Sequence, residues 1–68
     1  MNADIRVNGQ PEPLSAATVA ELLRSRGVTA PKGVAVAVNG EVVPSSRWEE
    51  HRLGAGDEIE IVRPFQGG

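Results

Sequence analysis

Apolar and polar residues alternate at both ends of this chain. Ile5 and Val7 are interleaved with Asp4, Arg6 and Asn8, and Ile59 and Ile61 with Glu58 and Glu60. A period of two places the apolar members on one face, so each run predicts a half-buried strand. Asn8-Gly9 ends the first run with a turn signal, and Glu12-Pro13-Leu14 reads as a short return strand. Prolines there favour a sheet edge, where a missing N–H costs no ladder bond. The run Val34-Ala35-Val36-Ala37-Val38 has valines on one side, alanines on the other and no polar side chain on either. It predicts an interior strand with its valine face under a helix. Asn39-Gly40 tolerates positive φ at both positions and is the strongest hairpin signal. Glu41-Val42-Val43 returns as the partner strand, and Pro44 ends it.

One stretch has helical spacing. Val19, Leu22 and Leu23 fall at i, i+3 and i+4, and Thr18 and Glu21 have capping-box spacing. Arg24 and Arg26 suit the dipole of the last turn, and Gly27 is placed to end the helix in a left-handed conformation. At about eight residues this helix needs a sheet to pack on. Ala30-Pro31-Lys32-Gly33 reads as a loop. Ser46 and Glu49 repeat the capping-box spacing around Trp48, which predicts a short helical turn pinned by the indole. Leu53-Gly54-Ala55-Gly56-Asp57 is a glycine-rich turn before the last strand. One helix covers one face of a sheet, so the class is α+β with a mixed sheet. The element order predicts the β-grasp, or ubiquitin-like, arrangement, with the first and last strands parallel neighbours at the centre. The expected organisation is one domain, 1–63, and a flexible tail, 64–68, ending in Gly-Gly.

Composition narrows the chemistry. The 68 residues include no cysteine, which excludes disulfides, thiolate metal sites and a cysteine nucleophile. A net charge of −2 with scattered arginines argues against nucleic acid as a partner. Asp4 and Arg6 interrupt any early apolar run, and no stretch approaches a membrane span, so a cytoplasmic protein without membrane association is expected. His51 lies among Glu49, Glu50 and Arg52 and reads as a solvated surface histidine. Glu58 and Glu60 read as outer-face strand charges, and Trp48 as filling under the sheet edge. No Ser-His-Asp set is supported. No catalytic residue and no metal are expected.

The last strand runs into Arg63-Pro64-Phe65-Gln66-Gly67-Gly68. Taken as the chain end, Gly68 offers an α-carboxylate on a tip without side chains. Glycines lack Cβ and pass through a channel too narrow for other residues. The tip is expected to enter another protein's active site, with Gln66 and Gly67 threading and Gly68 supplying the reacting carbon. Phe65 is either a last plug on the sheet or an exposed anchor for that partner. The glycines form no phosphate-binding loop, so activation of an ionised carboxylate has to come from outside.

Together, Val36 to Pro44, Trp48 four residues on, Gly56-Asp57 and the final Gly67-Gly68 resemble the ThiS-type sulfur carrier proteins of thiamine biosynthesis. The resemblance covers essentially the whole chain. It implies that the Gly68 carboxylate is adenylated by a ThiF-like enzyme using ATP, with no cofactor bound by this chain. A sulfur donor such as a cysteine desulfurase then supplies the sulfur of a thiocarboxylate. A ThiG-like thiazole synthase receives that sulfur. The alternatives are a sulfur carrier for molybdopterin or another pathway, a ubiquitin-like protein tag, and, more remotely, a small RNA-binding domain that would require basic helices this chain lacks.

Overall fold

The computed structural model describes residues 3–28 and 32–63. They form β1 (Asp4–Val7), β2 (Gln10–Pro13), α1 (Val19–Ser25), β3 (Ala35–Val38), β4 (Glu41–Val42), a 3-10 turn (Ser45–Arg47) and β5 (Glu58–Val62). The strands make one sheet in the order β2-β1-β5-β3-β4. β1 and β5 are parallel neighbours, and the other pairs are antiparallel. This is the predicted β-grasp order. Of the predicted loop, Ala30 and Pro31 lie outside the described residues.

Both hairpins turn on Asn-Gly. Asn8 and Gly9 have φ of 53° and 83°, and Asn39 and Gly40 have 53° and 85°, the left-handed values of a type I′ turn. β2 begins at Gln10 rather than at Glu12. Its prolines sit opposite Arg6 and Asp4. The Leu14 N–H donates to the Ala3 carbonyl at 2.8 Å, so the prolines fall at alternate positions whose N–H would face the open edge.

Thr18 is the N-cap of α1, the position its capping-box spacing with Glu21 predicts. Its hydroxyl accepts from the Glu21 N–H at 3.2 Å. The Glu21 carboxylate takes the Ala17 N–H at 3.0 Å, so the reciprocal bond reaches one residue further back than a capping box places it. Two further donors of the first turn, the N–H groups of Val19 and Ala20, go to the carbonyls of His51 and Trp48, both at 3.0 Å. At the other end Gly27, at φ +83°, donates to the Arg24 carbonyl, and Val28 to that of Leu23. These paired bonds are a Schellman closure.

Val19, Ala20, Leu22 and Leu23 of α1 pack on Ile5, Val7, Val36, Val38, Ile59 and Ile61 of the sheet. Trp48 is buried in the same core and donates its indole N–H to the Val43 carbonyl at 2.8 Å. The second predicted capping box does not form. The turn at Ser45–Arg47 follows Pro44 and has no side-chain cap, while the Glu49 carboxylate accepts from Arg24 at 3.2 Å. The indole holds this turn, as expected. Trp48→Phe should keep most of the packing but leave the Val43 carbonyl unpaired. We expect a loss of about 1–3 kcal/mol, seen as a lower urea midpoint with an unchanged slope.

Candidate functional site

The residues expected to meet a partner, Phe65, Gln66, Gly67 and Gly68, lie outside the described residues. What the structure defines is their base, the end of β5. The backbone of β5 is paired on both sides. Toward β1, Asp57 and Ile59 accept from the N–H groups of Arg6 and Asn8, each at 2.9 Å. Toward β3, pairing continues to Val62, opposite Ala35. Each turn asparagine adds side-chain bonds to this strand. At its start, Asn39 Oδ1 accepts the Glu58 N–H at 3.0 Å. Near its end, Asn8 Oδ1 accepts the Ile61 N–H at 2.8 Å, and Asn8 Nδ2 donates to the Ile61 carbonyl at 3.3 Å. Arg63, the next residue after the strand, donates from Nη2 to the Arg26 carbonyl at 2.8 Å. Arg26 in turn holds both oxygens of Glu12, at 3.0 and 2.9 Å. The residue after β5 is thereby tied to the C-terminus of α1, and the C-terminus of α1 to β2 through Glu12.

The sheet face away from α1 is divided. Glu58 and Glu60 are exposed on it, as expected of outer-face charges. Beside them lie Val62, 62% exposed, and Val42, 76% exposed. Val62 pairs with Ala35 and Val42 with Ala37, so these four form an apolar patch beside the point where the chain leaves β5. The sequence reading missed Val42 and Val62. The parity of β5 contained the signal: with Ile59 and Ile61 inward, Val62 faces outward with the glutamates.

The remaining candidates are structural. His51 is half-buried rather than fully solvated, and its backbone carbonyl receives the Val19 N–H. Trp48 belongs to the core. Among the described residues no polar or charged side chain is buried, and no group of three or more His, Asp or Glu residues is placed to hold a metal ion.

A single helix across one face of a mixed sheet, with its first and last strands parallel at the centre, defines a ubiquitin-like β-grasp protein. The sequence profile of the ThiS family matches residues 5–68, and the chain belongs to that family. It is 40% identical over 62 residues to the sulfur carrier protein ThiS of Thermus thermophilus, covering 91% of this chain and 95% of that one. Two solved structures from Geobacter metallireducens share the fold. The crystal structure of a thiamine biosynthesis protein (ThiS) is 31% identical with a TM-score of 0.76, covering 96% of this chain and 99% of that one. The solution structure of a thiamine biosynthesis protein is 32% identical with a TM-score of 0.76, covering 100% and 88%.

Adjacent residues of β5 should respond unequally to substitution. Val62→Thr, on the open face, is expected to change stability by no more than about 0.5 kcal/mol. Ile61→Val, on the core face, should cost about 0.5–1.5 kcal/mol. Chemical denaturation of the two variants measures the contrast.

Proposed function

We propose that this chain is a sulfur carrier of thiamine biosynthesis and that Gly68 carries the sulfur. The observation that carries this reading is the family match, which runs through Gly68 itself. The name of the Thermus thermophilus relative agrees with it. In this reading the Gly68 carboxylate attacks ATP on a ThiF-like adenylating enzyme, pyrophosphate leaves, and an acyl-adenylate forms. A persulfide on a donor such as a cysteine desulfurase then attacks the acyl carbon and displaces AMP. A thiol of the donor or activating enzyme cleaves the resulting acyl disulfide, leaving its own sulfur in a disulfide with the donor. The product is a thiocarboxylate that a ThiG-like thiazole synthase consumes.

The geometry of β5 supports that role. Five residues follow Arg63. Fully extended, they span at most about 17 Å, enough to carry Gly68 into a partner's active site while the domain stays outside. The apolar patch around Val62 and Val42 adjoins the start of that segment and suits the same enzyme as a docking face, because one bound protein would cover the patch and receive the tip. Gln66 and Gly67 thread, and Phe65 anchors.

The test is intact mass after incubation with ATP, an adenylating enzyme and a sulfur donor. We expect the gain of one oxygen-for-sulfur exchange. An unchanged mass with partners that are active on another carrier would reject the reading. Deleting Gly68 should leave thermal unfolding unaltered and abolish pyrophosphate exchange.

A further inference from the structure

β1 leaves β5 at Asn8, where the I′ turn bends the backbone away at φ 53°. The next groups of β5 that face β1 belong to Ile61, because Asp57 and Ile59 before it already accept from that strand. No backbone of β1 continues to meet them. The Asn8 carboxamide has the same carbonyl and N–H as a peptide group, and it takes both Ile61 groups, at 2.8 and 3.3 Å across 53 residues of sequence. It acts as one more rung of the parallel ladder. The hold on that side of β5 therefore reaches Ile61 instead of stopping at Ile59. On the other side it reaches Val62.

We propose that Asn8 is a positioning residue for the chemistry at Gly68: its carboxamide fixes the last rung on the β1 side of β5, and so the geometry of the strand end from Ile61 to Arg63 that a partner meets. The Arg63 bond to the Arg26 carbonyl holds the next residue from the helix side. Asn8 touches no reacting atom. Its effect is to hold the end of β5 in one geometry before a partner binds, so that less ordering of that strand end has to accompany binding. This role rests on the sulfur-carrier reading above.

The two hairpins supply an internal control. Asn39 makes the same kind of side-chain bond at the opposite end of β5, to Glu58. Asn8→Gly and Asn39→Gly both keep the positive φ and both remove a carboxamide. Exchange of the Ile61 amide in the free chain tests the rung without any partner. Pyrophosphate exchange with the adenylating enzyme tests its use. We expect Ile61 to exchange about tenfold faster in Asn8→Gly and near the wild-type rate in Asn39→Gly. For activation we expect kcat/KM to fall about tenfold in Asn8→Gly, mostly through KM, and to stay within about twofold in Asn39→Gly. Asn8→Asp keeps the acceptor for the Ile61 N–H and loses the donor, so it should fall between Asn8→Gly and wild type; it also carries the comparison if Asn8→Gly does not fold. Unchanged Ile61 exchange overturns the rung. Faster Ile61 exchange with equal activation losses in both glycine variants reduces Asn8 to a structural role and overturns the positioning. Failure of the wild-type chain to be activated removes the sulfur-carrier reading beneath the proposal, whatever Ile61 does.

Discussion

The pairing of β5 with β1 on one side and β3 on the other is the constraint on which the structure depends. β5 is the last strand and β1 the first, so the centre of the sheet forms only when the two ends of the domain meet. A parallel pair requires a crossover connection, and here nearly the whole chain between Val7 and Glu58 serves as that crossover. Ile5, Val7, Ile59 and Ile61 then present a continuous apolar strip to Leu22 and Leu23. Among the described residues α1 is the one α-helix, and it covers that face with Trp48 packed in the same core. In a domain of this size, where buried area is limited, the parallel contact and the helix packing are therefore mutually dependent.

The segment between β4 and β5 shows how a seven-residue helix is supported in so small a protein. An isolated helix of that length does not persist, and its first-turn N–H groups need partners. Thr18 provides one. Carbonyls of Trp48 and His51 provide two more, and the Ala17 carbonyl receives the Leu53 N–H in return. Trp48 sits in the core beneath this junction, with its indole bonded to Val43. One aromatic residue thus fixes the sheet edge beyond β4 through its indole and presents one of the two carbonyls that begin α1.

Much of this was legible in the chain because the signals are local. Alternation at Ile5–Val7 and Ile59–Ile61, two Asn-Gly turns, the Thr18 cap and Gly27 each report on backbone geometry within a few residues. What escaped depends on partners remote in sequence. Ser46 and Glu49 have capping-box spacing, but the Glu49 carboxylate meets Arg24 across the surface instead. The Asn8 and Asn39 side chains look like ordinary turn residues, and nothing adjacent reveals that both bind β5. Val62 ends an apolar-rich strand and passes for core until its parity against Ile61 is counted. The Gly67-Gly68 end indicates a class of chemistry but contains no information about how its base is held.

The open sheet face bears on the energetics of a small carrier. Burying a valine completely is worth about 1.5–3 kcal/mol, and Val42 and Val62 realise little of that in the free domain because they are mostly exposed. Polar residues at both positions would suit the isolated fold at least as well. Their apolar character favours association, since that area leaves water only when another surface covers it. The opposite face of the same strand, through Ile59 and Ile61, holds the domain together. β5 therefore separates two free-energy terms by parity alone: the inward Ile59 and Ile61 stabilise the domain, and the outward Val62 leaves apolar area exposed at the end of the strand.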